Sequence, residues 1–227
     1  MKVGRNDPHH EIMDVRLSGG NGARNLRQGA GLVHRQHEAQ KLHPDWHNNP
    51  VRYWGDDRAR LIIVGLAPGL KGANRTGRPF TGDYAGDLLY ATLIKVGLAT
   101  GAYEQRPDDS LQLRGVLIAN AVACVPPENK PTTDEIKTCR QFIGKRLSEQ
   151  KAMAYLALGR IAHDQLLVAL GEKRSRYAFA HGGEHELSNG ARLFDSYHCS
   201  RYNTNTGVLT TEMFEDVVGR AAEFIRD

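Results

Sequence analysis

The sequence has few cysteines and no long apolar run. Its 227 residues include three cysteines, Cys124, Cys139 and Cys199, which are dispersed and odd in number, so a disulfide framework is excluded and a reducing setting is expected. No window approaches the roughly 18 uninterrupted apolar residues of a membrane helix. Charged residues stand where a signal peptide needs an apolar stretch. We therefore expect a soluble, cytoplasmic protein.

Strong charge of one sign is also lacking, although the balance is basic. The formal net charge is +4 and the isoelectric point is near 9.0, which favours a polyanionic partner without deciding it. The length and the 40% hydrophobic content are ordinary for one globular domain. Residues 1–31 are rich in Gly, Asn and Arg and predict a mobile tail. Residues 32–227 form the predicted single domain.

Short apolar segments alternate with helical patterns along that domain. Buried parallel strands typically show such continuous, β-branched runs, and the alternation predicts βαβ units. The predicted fold is therefore a three-layer α/β/α sandwich with a central, mostly parallel four-stranded sheet. The strands are predicted at 60–65, 116–122, 152–159 and 192–198, and the helices at 88–96, 136–147, 161–170 and 213–225.

A glycine-rich segment, Gly65–Tyr90, follows the first predicted strand. Glycines at this density allow a close approach of backbone amides to a ligand, and the ligand crevice of such sheets lies beyond the carboxyl ends of the strands. A phosphate-binding metabolic enzyme is one interpretation. However, the segment contains neither GxxxxGK[ST] nor GxGxxG at the strand end. The glycine content alone does not choose a ligand.

Three longer motifs carry a resemblance to a known family. They read GLAPG…NRTGRPFTGD from Gly65, NAVACVPPENKPT from Asn120, and DSYHCSRYNTNTGVLT from Asp195. In this order they resemble the uracil-DNA glycosylase superfamily, and within it family 5. The resemblance implies a monomeric DNA-repair enzyme that hydrolyses the N-glycosidic bond of uracil, and of other deaminated bases, in DNA. The product would be an abasic site that enters base-excision repair. A non-catalytic damaged-DNA binder that kept the fold is the alternative.

The resemblance places the flipped base among Gly65, Ala67, Phe80 and Asn120. A flipped uracil needs a flat apolar surface and polar partners for its Watson–Crick edge. Phe80 would supply the ring, and the Asn120 amide offers both a donor and an acceptor. The structural alternatives are a core phenylalanine and an amide that ties two loops together.

The catalytic candidates are His198, Asn74 and Asn203. His198 is expected to donate to O2 of the leaving base, although a lone strand-end histidine is often structural. Asn74 is the first candidate for positioning the water. The aspartate base of faster relatives is missing after GLAP, where Gly69 stands, and Asp83 ranks second because it is expected to cap a helix. Asn203 should lie near the sugar-phosphate.

Three arginines, Arg75, Arg78 and Arg201, are expected to meet DNA phosphates, although each is equally consistent with a solvated surface charge. Two other histidines, His181 and His185, lack a third metal ligand at convincing spacing. They are interpreted as part of a polar hairpin.

Most members of family 5 carry a four-iron, four-sulfur cluster, and here the resemblance is incomplete. Cys124 and Cys139 match the later pair of ligands, but the N-terminal CxxC is missing. We expect an absent or defective cluster. The alternatives are an altered N-terminus, or substitution by His34 and His37, which with the two cysteines would also make a Cys₂His₂ zinc set.

Overall fold

The computed structural model describes residues 38–126 and 131–226. The predicted mobile tail, residues 1–31, lies outside this range, as do His34 and His37. The strands are β1 (Trp54–Gly55), β2 (Leu61–Gly65), β3 (Ala99–Thr100), β4 (Gln112–Leu113), β5 (Val116–Asn120), β6 (Ala154–Leu158), β7 (Glu184–Glu186) and β8 (Arg192–Ser196). The helices are α1 (Ala73–Thr76), α2 (Tyr84–Lys95), α3 (Thr133–Glu149), α4 (Arg160–Ala169), α5 (Arg201–Asn205) and α6 (Thr211–Phe224).

The central sheet has the strand order β1-β5-β2-β6-β8-β7. The four predicted strands correspond to β5, β2, β6 and β8, which are mutually parallel. The short strands β1 and β7 extend the sheet by antiparallel pairing at its two edges. The mostly parallel sheet is thus confirmed, and the two edge strands are additions that the apolar pattern did not signal.

Helices cover both faces of this sheet. Alternate residues of β2 face opposite sides, so Leu61 and Ile63 pack in one cluster with α2 and α6, whereas Ile62 and Val64 pack in another with α3 and α4. All five residues of β2 and of β6 are buried. The result is the three-layer α/β/α arrangement that the sequence predicts.

Local signals explain where the helices begin. Thr132 and Glu135 form a capping box at the start of α3, in which the Glu135 amide donates to Thr132 Oγ1 and the Thr132 amide donates to Glu135 Oε2. Thr210 caps α6 in the same way through the Met213 amide. No helix of the described ranges is long and apolar enough to cross a membrane.

Candidate active site

An open cleft of about 800 Å³ lies beyond the carboxyl ends of the parallel strands. Its walls come from the segment after β2, from Asn120 at the end of β5, and from the segment after β8. The lining residues are 66–73, Phe80, 82–85, Asn120, His198, Ser200 and Arg201. The three motif-bearing loops therefore converge on one crevice.

Gly65 lies at the end of β2, next to the cleft residues Asn120 and Phe80. A Cβ atom at this position would lie 2.5 Å from Asn120 Oδ1 and 2.5 Å from Phe80 Cζ, so any side chain here would displace Asn120 or Phe80. The missing side chain lets Asn120 and Phe80 meet above the end of β2. Gly65 was predicted to contact the substrate. The structure places Ala67 on the cleft wall and Gly65 next to Asn120 and Phe80, and contact of either residue with the substrate stays a prediction.

Phe80 is held in an unusual backbone conformation. Its φ of +52° is left-handed, which costs a non-glycine residue of order 1–3 kcal/mol. Tyr103 Oη donates to the Phe80 carbonyl at 3.1 Å, and Tyr90 Oη donates to the Pro79 carbonyl at 2.5 Å. The tyrosines thus fix the turn that presents the Phe80 ring, which is 6% exposed, on the cleft wall.

Asn120 carries a buried acceptor with no partner. Its Oδ1 atom accepts no hydrogen bond from the described residues, and leaving such a group unpaired costs about 1–3 kcal/mol. Register pairs Asn120 with Gly65 on the neighbouring strand. The unpaired oxygen therefore lies directly beside Phe80 at the strand end, where a donor on a ligand would satisfy it.

His198 lines the opposite part of the cleft. Its ring is 6.1 Å from that of Phe80, centroid to centroid, at an interplanar angle of 28°. Burial lowers the pKa of His198, so the imidazole is neutral near pH 7 and can donate one N–H. Gly159 lies next to His198, and its φ of +98° is in the left-handed region that favours glycine.

Comparison with known proteins identifies the family. The family model described as the uracil DNA glycosylase superfamily matches residues 53–221. The chain is 46% identical over 179 residues to a Type-5 uracil-DNA glycosylase of Thermus thermophilus, covering 78% of this chain and 81% of that protein. It is 42% identical over 175 residues to a Type-5 enzyme of Pyrobaculum aerophilum, covering 76% and 75%.

The chain belongs to the uracil DNA glycosylase superfamily. A more distant relative is a Type-4 uracil-DNA glycosylase of Archaeoglobus fulgidus, 32% identical over 122 residues, which are 52% of this chain and 54% of that protein. The family predicted from the three motifs is confirmed.

Two asparagines predicted to take part in the superfamily's chemistry lie outside the cleft lining. Asn74 is 1% exposed, and its Nδ2 donates to Asn48 Oδ1 at 2.9 Å. This bond ties α1 to the segment before β1, whereas Asn74 Oδ1 is buried without a partner among the described residues. The role of Asn74 in positioning water stays a prediction. Asn203 Nδ2 donates to the His198 carbonyl at 2.8 Å. This bond joins α5 to the segment that carries His198, and the place of Asn203 beside the sugar-phosphate stays a prediction.

Asp83 is the carboxylate that does line the cleft. It occupies the N-cap position of α2, and its carboxylate faces the backbone amides of Ala85 and Gly86, although neither contact has the geometry of a capping hydrogen bond. Gly72 leaves the space that the carboxylate fills, since a Cβ there would overlap it. Its Oδ1 is buried without a partner among the described residues. Burial raises the pKa of the Asp83 carboxyl, as expected of a group that exchanges protons.

The three predicted phosphate contacts divide into two groups. Arg201 lines the cleft and stacks over Tyr84 at 5.3 Å, and Arg75 is exposed beside Gly82 on the rim. Lys71, which the sequence did not single out, is exposed on the same wall. Arg78 is different, because it is 4% exposed.

Both terminal nitrogens of Arg78 bind the Asp109 carboxylate, at 2.7 and 2.8 Å. The predicted phosphate contact of Arg78 is corrected, since its guanidinium is already occupied inside the protein.

The predicted cluster cysteines lie close together, with Cys124 in the β5–α3 connection and Cys139 on α3. Cys124 and Cys139 pack with Val122 and Ile136, and burial, with Cys139 close by, raises the pKa of the Cys124 thiol to about 12. The remaining cysteine, Cys199, is fully buried and directs its Sγ at the Ala85 carbonyl. With three cysteines in all, the chain cannot supply the four thiolates of the family's iron–sulfur cluster.

Proposed function

We propose that the protein removes uracil from DNA by hydrolysing the N-glycosidic bond, leaving an abasic site that starts base-excision repair. The observation that carries the proposal is the unpaired Asn120 Oδ1 beside the Phe80 ring, in a chain 46% identical to a Type-5 uracil-DNA glycosylase. A buried orphan acceptor next to an aromatic ring suits a planar ligand with an N–H group.

The base enters the cleft after it leaves the DNA stack. It lies against Phe80, with N3–H donating to Asn120 Oδ1 and Asn120 Nδ2 donating to O4. Cytosine presents the opposite pattern, because its N3 accepts and its exocyclic amine donates. With the Asn120 oxygen directed at the base, cytosine leaves two polar groups mismatched in a buried site, which disfavours its binding.

Cleavage places negative charge on O2 of the leaving base. The neutral His198 donates to this oxygen, and the bond strengthens as the charge develops. The sugar becomes oxocarbenium-like. Asp83, with one carboxylate oxygen unpaired in the cleft, orients the attacking water, accepts its proton and stabilises the positive sugar.

Positive side chains surround the mouth of the cleft. Lys71, Arg75 and Arg201 are exposed there, at positions suited to the phosphates that flank the flipped nucleotide. Such contacts are independent of sequence and weaken as salt rises. They hold the DNA, while Asn120 and Phe80 select the base.

The direct test is excision from a labelled duplex with one uracil, set against the same duplex with cytosine. Alkali after incubation reveals abasic sites. We expect strand breaks at uracil alone, and their loss in Asn120→Ala together with weaker binding of the uracil duplex. Tight binding of the uracil duplex by the wild-type protein without any strand break would replace the proposal by that of a damaged-DNA binder.

The proposed reaction does not use the four-iron, four-sulfur cluster of the family. Cys124 and Cys139 are half of a ligand set, and the third cysteine, Cys199, is buried elsewhere against the Ala85 carbonyl. We expect colourless protein whose iron content stays near zero after anaerobic reconstitution. About four irons per chain with broad visible absorption would contradict this expectation.

A further inference from the structure

A second cluster of ligating side chains lies on the far side of β8 from the cleft residues. It consists of His163 on α4, His185 on β7 and Asp195 on β8, and their donor atoms all lie within 4.8 Å of one another. His163 Nδ1 is 2.7 Å from Asp195 Oδ1, and His185 Nε2 is 3.2 Å from Asp195 Oδ2. One carboxylate thus stands between two imidazoles contributed by different elements of the fold.

The two nitrogens of His163 both face oxygen atoms. Nε2 is 3.1 Å from the Tyr177 carbonyl, which only accepts, so Nε2 carries the hydrogen of a neutral ring. Nδ1 then directs a lone pair at the Asp195 carboxylate. Two lone pairs at 2.7 Å would repel each other, so a further proton occupies this contact in the metal-free protein, and a bound metal ion would take the place of that proton.

We propose that His163, His185 and Asp195 bind one divalent transition-metal ion, with Zn²⁺ as the preferred ion. Two imidazole nitrogens and one carboxylate match the three-ligand zinc sets that leave the fourth position to solvent. The bond from His163 Nε2 to the Tyr177 carbonyl is the outer contact that metal-ligating histidines ordinarily make, since it fixes the tautomer and the ring orientation.

The surroundings suit a site that an ion can enter. Asp195 and His163 are 0% and 1% exposed, whereas the His185 side chain is 18% exposed and supplies the open side. Gly183 adjoins the cluster, since a Cβ there would stand in ordinary contact, 3.5 Å from both His185 Nε2 and Asp195 Oδ2. A bound ion would join α4, β7 and β8 just before the segment that carries His198.

The test is a titration of the full chain with Zn²⁺ alone, in a Cys124→Ser/Cys139→Ser background that removes the competing thiols. Calorimetry should detect this site in the parent protein. In His185→Gln the site should be lost, and the stoichiometry should fall by one ion per chain. At a hundredfold excess over Kd, we expect Tm to rise by roughly 5–10 °C. Gln keeps a hydrogen-bond donor for Asp195 but is a poor zinc ligand.

The matched control is His181→Gln, which changes a neighbouring histidine outside the cluster and should keep both the stoichiometry and the rise in Tm. Co²⁺ provides a second readout, since binding should produce visible absorption without a thiolate charge-transfer band. The proposal is overturned if His185→Gln and the parent protein bind Zn²⁺ equally well, or if Zn²⁺ leaves the Tm of the parent unchanged.

Discussion

Two buried polar groups lie five residues apart in one loop, and their environments are opposite. Arg78 donates to both oxygens of Asp109 and to Thr81 Oγ1, and its guanidinium also lies 4.8 Å from the centroid of the Trp54 ring. Asp83 has a buried oxygen without a partner among the described residues, as does Asn120. Other buried polar atoms also lack a partner there, namely Asn74 Oδ1, Thr92 Oγ1 and the Nε atoms of Arg140 and Arg146. Asp83 and Asn120 differ from these because they line the cleft, where a ligand can complete their hydrogen bonds.

The two environments depend on each other. The paired Arg78 anchors the turn that presents Phe80, two residues further on, and Tyr103 joins both, because its ring faces Arg78 while its hydroxyl donates to the Phe80 carbonyl. A rigid, paired frame allows unpaired groups to stay buried without collapsing onto other partners. Variants on the two sides should therefore separate stability from activity.

The largest expected effect is that of His198→Ala on catalysis. Loss of one donor to a developing anion typically costs about 2.7–4 kcal/mol, or 10²–10³ in rate. The single-turnover excision rate should fall by this factor while affinity for uracil-containing DNA stays within a few fold. His43→Ala, outside the cleft, is the control. A His198→Ala enzyme with more than half the wild-type rate would remove this residue from the mechanism.

Arg78→Met should act on stability. The Asp109 side chain is 0% exposed, and removing its partner leaves a buried charge. We expect the free energy of unfolding to fall by about 3 kcal/mol, which is the low end for breaking a buried ion pair. The low end applies because the loop around Asp109 is otherwise exposed. Urea unfolding measures it, with the exposed Arg58→Met as control. An unchanged midpoint of urea unfolding would show that the ion pair between Arg78 and Asp109 does not stabilise the fold.

The pair also gives a pH signature. The hydrogen bond from Arg78 lowers the pKa of Asp109 to about 2, against about 3.9 in an unfolded chain. A lowered pKa stabilises the fold above the unfolded value, and this contribution is lost as pH falls from about 4 towards 2. The stability difference between wild type and Arg78→Met should shrink over that window.

Asp83→Asn should change activity and stability in opposite directions. Loss of a general base typically costs at least about 10² in rate. Because burial raises the pKa of Asp83, the charged form is disfavoured in the folded protein, and its penalty grows as pH rises through the folded pKa. At pH 7 the variant should therefore unfold at a higher temperature than wild type. At a pH well below the ordinary carboxyl pKa, the two proteins should unfold at the same temperature.

The matched control is Asp87→Asn on the same helix, where the Asp87 carboxylate accepts from Gln105. This variant should show neither the loss of excision rate nor the rise in unfolding temperature expected of Asp83→Asn. Full activity of Asp83→Asn would leave the cleft without its proposed base. A loss of both activity and stability would show that Asp83, like Arg78, stabilises the fold.

The smallest effect concerns the rim. Arg201→Gln should reduce the slope of log affinity against log salt by about 0.9 if it contacts one phosphate, with little change in the single-turnover rate. Arg106→Gln, an equal change of charge in an exposed ion-pair cluster with Glu104, tests for a general charge effect. Equal slopes for both variants would remove Arg201 from the DNA contacts.

Much of the fold was predictable because its signals are local. The apolar runs of β2, β5, β6 and β8, which are β-branched in β2 and β5, and the capping box at Thr132 act over a few residues and therefore survive in the linear sequence. The three motifs were enough to predict the family, which the comparison confirms. They also directed attention to Phe80, Asn120 and His198, which the structure brings to one cleft.

Partner choice was not predictable, since it acts through space. Arg78 finds Asp109 across 31 residues, Asn74 finds Asn48 across 26, and His163 finds Asp195 across 32. Sequence alone determined the α/β class, the family and the ring and amide that face the cleft. Only the tertiary structure decided which charges are paired and which remain open, because burial and hydrogen bonding depend on what the folded chain places nearby.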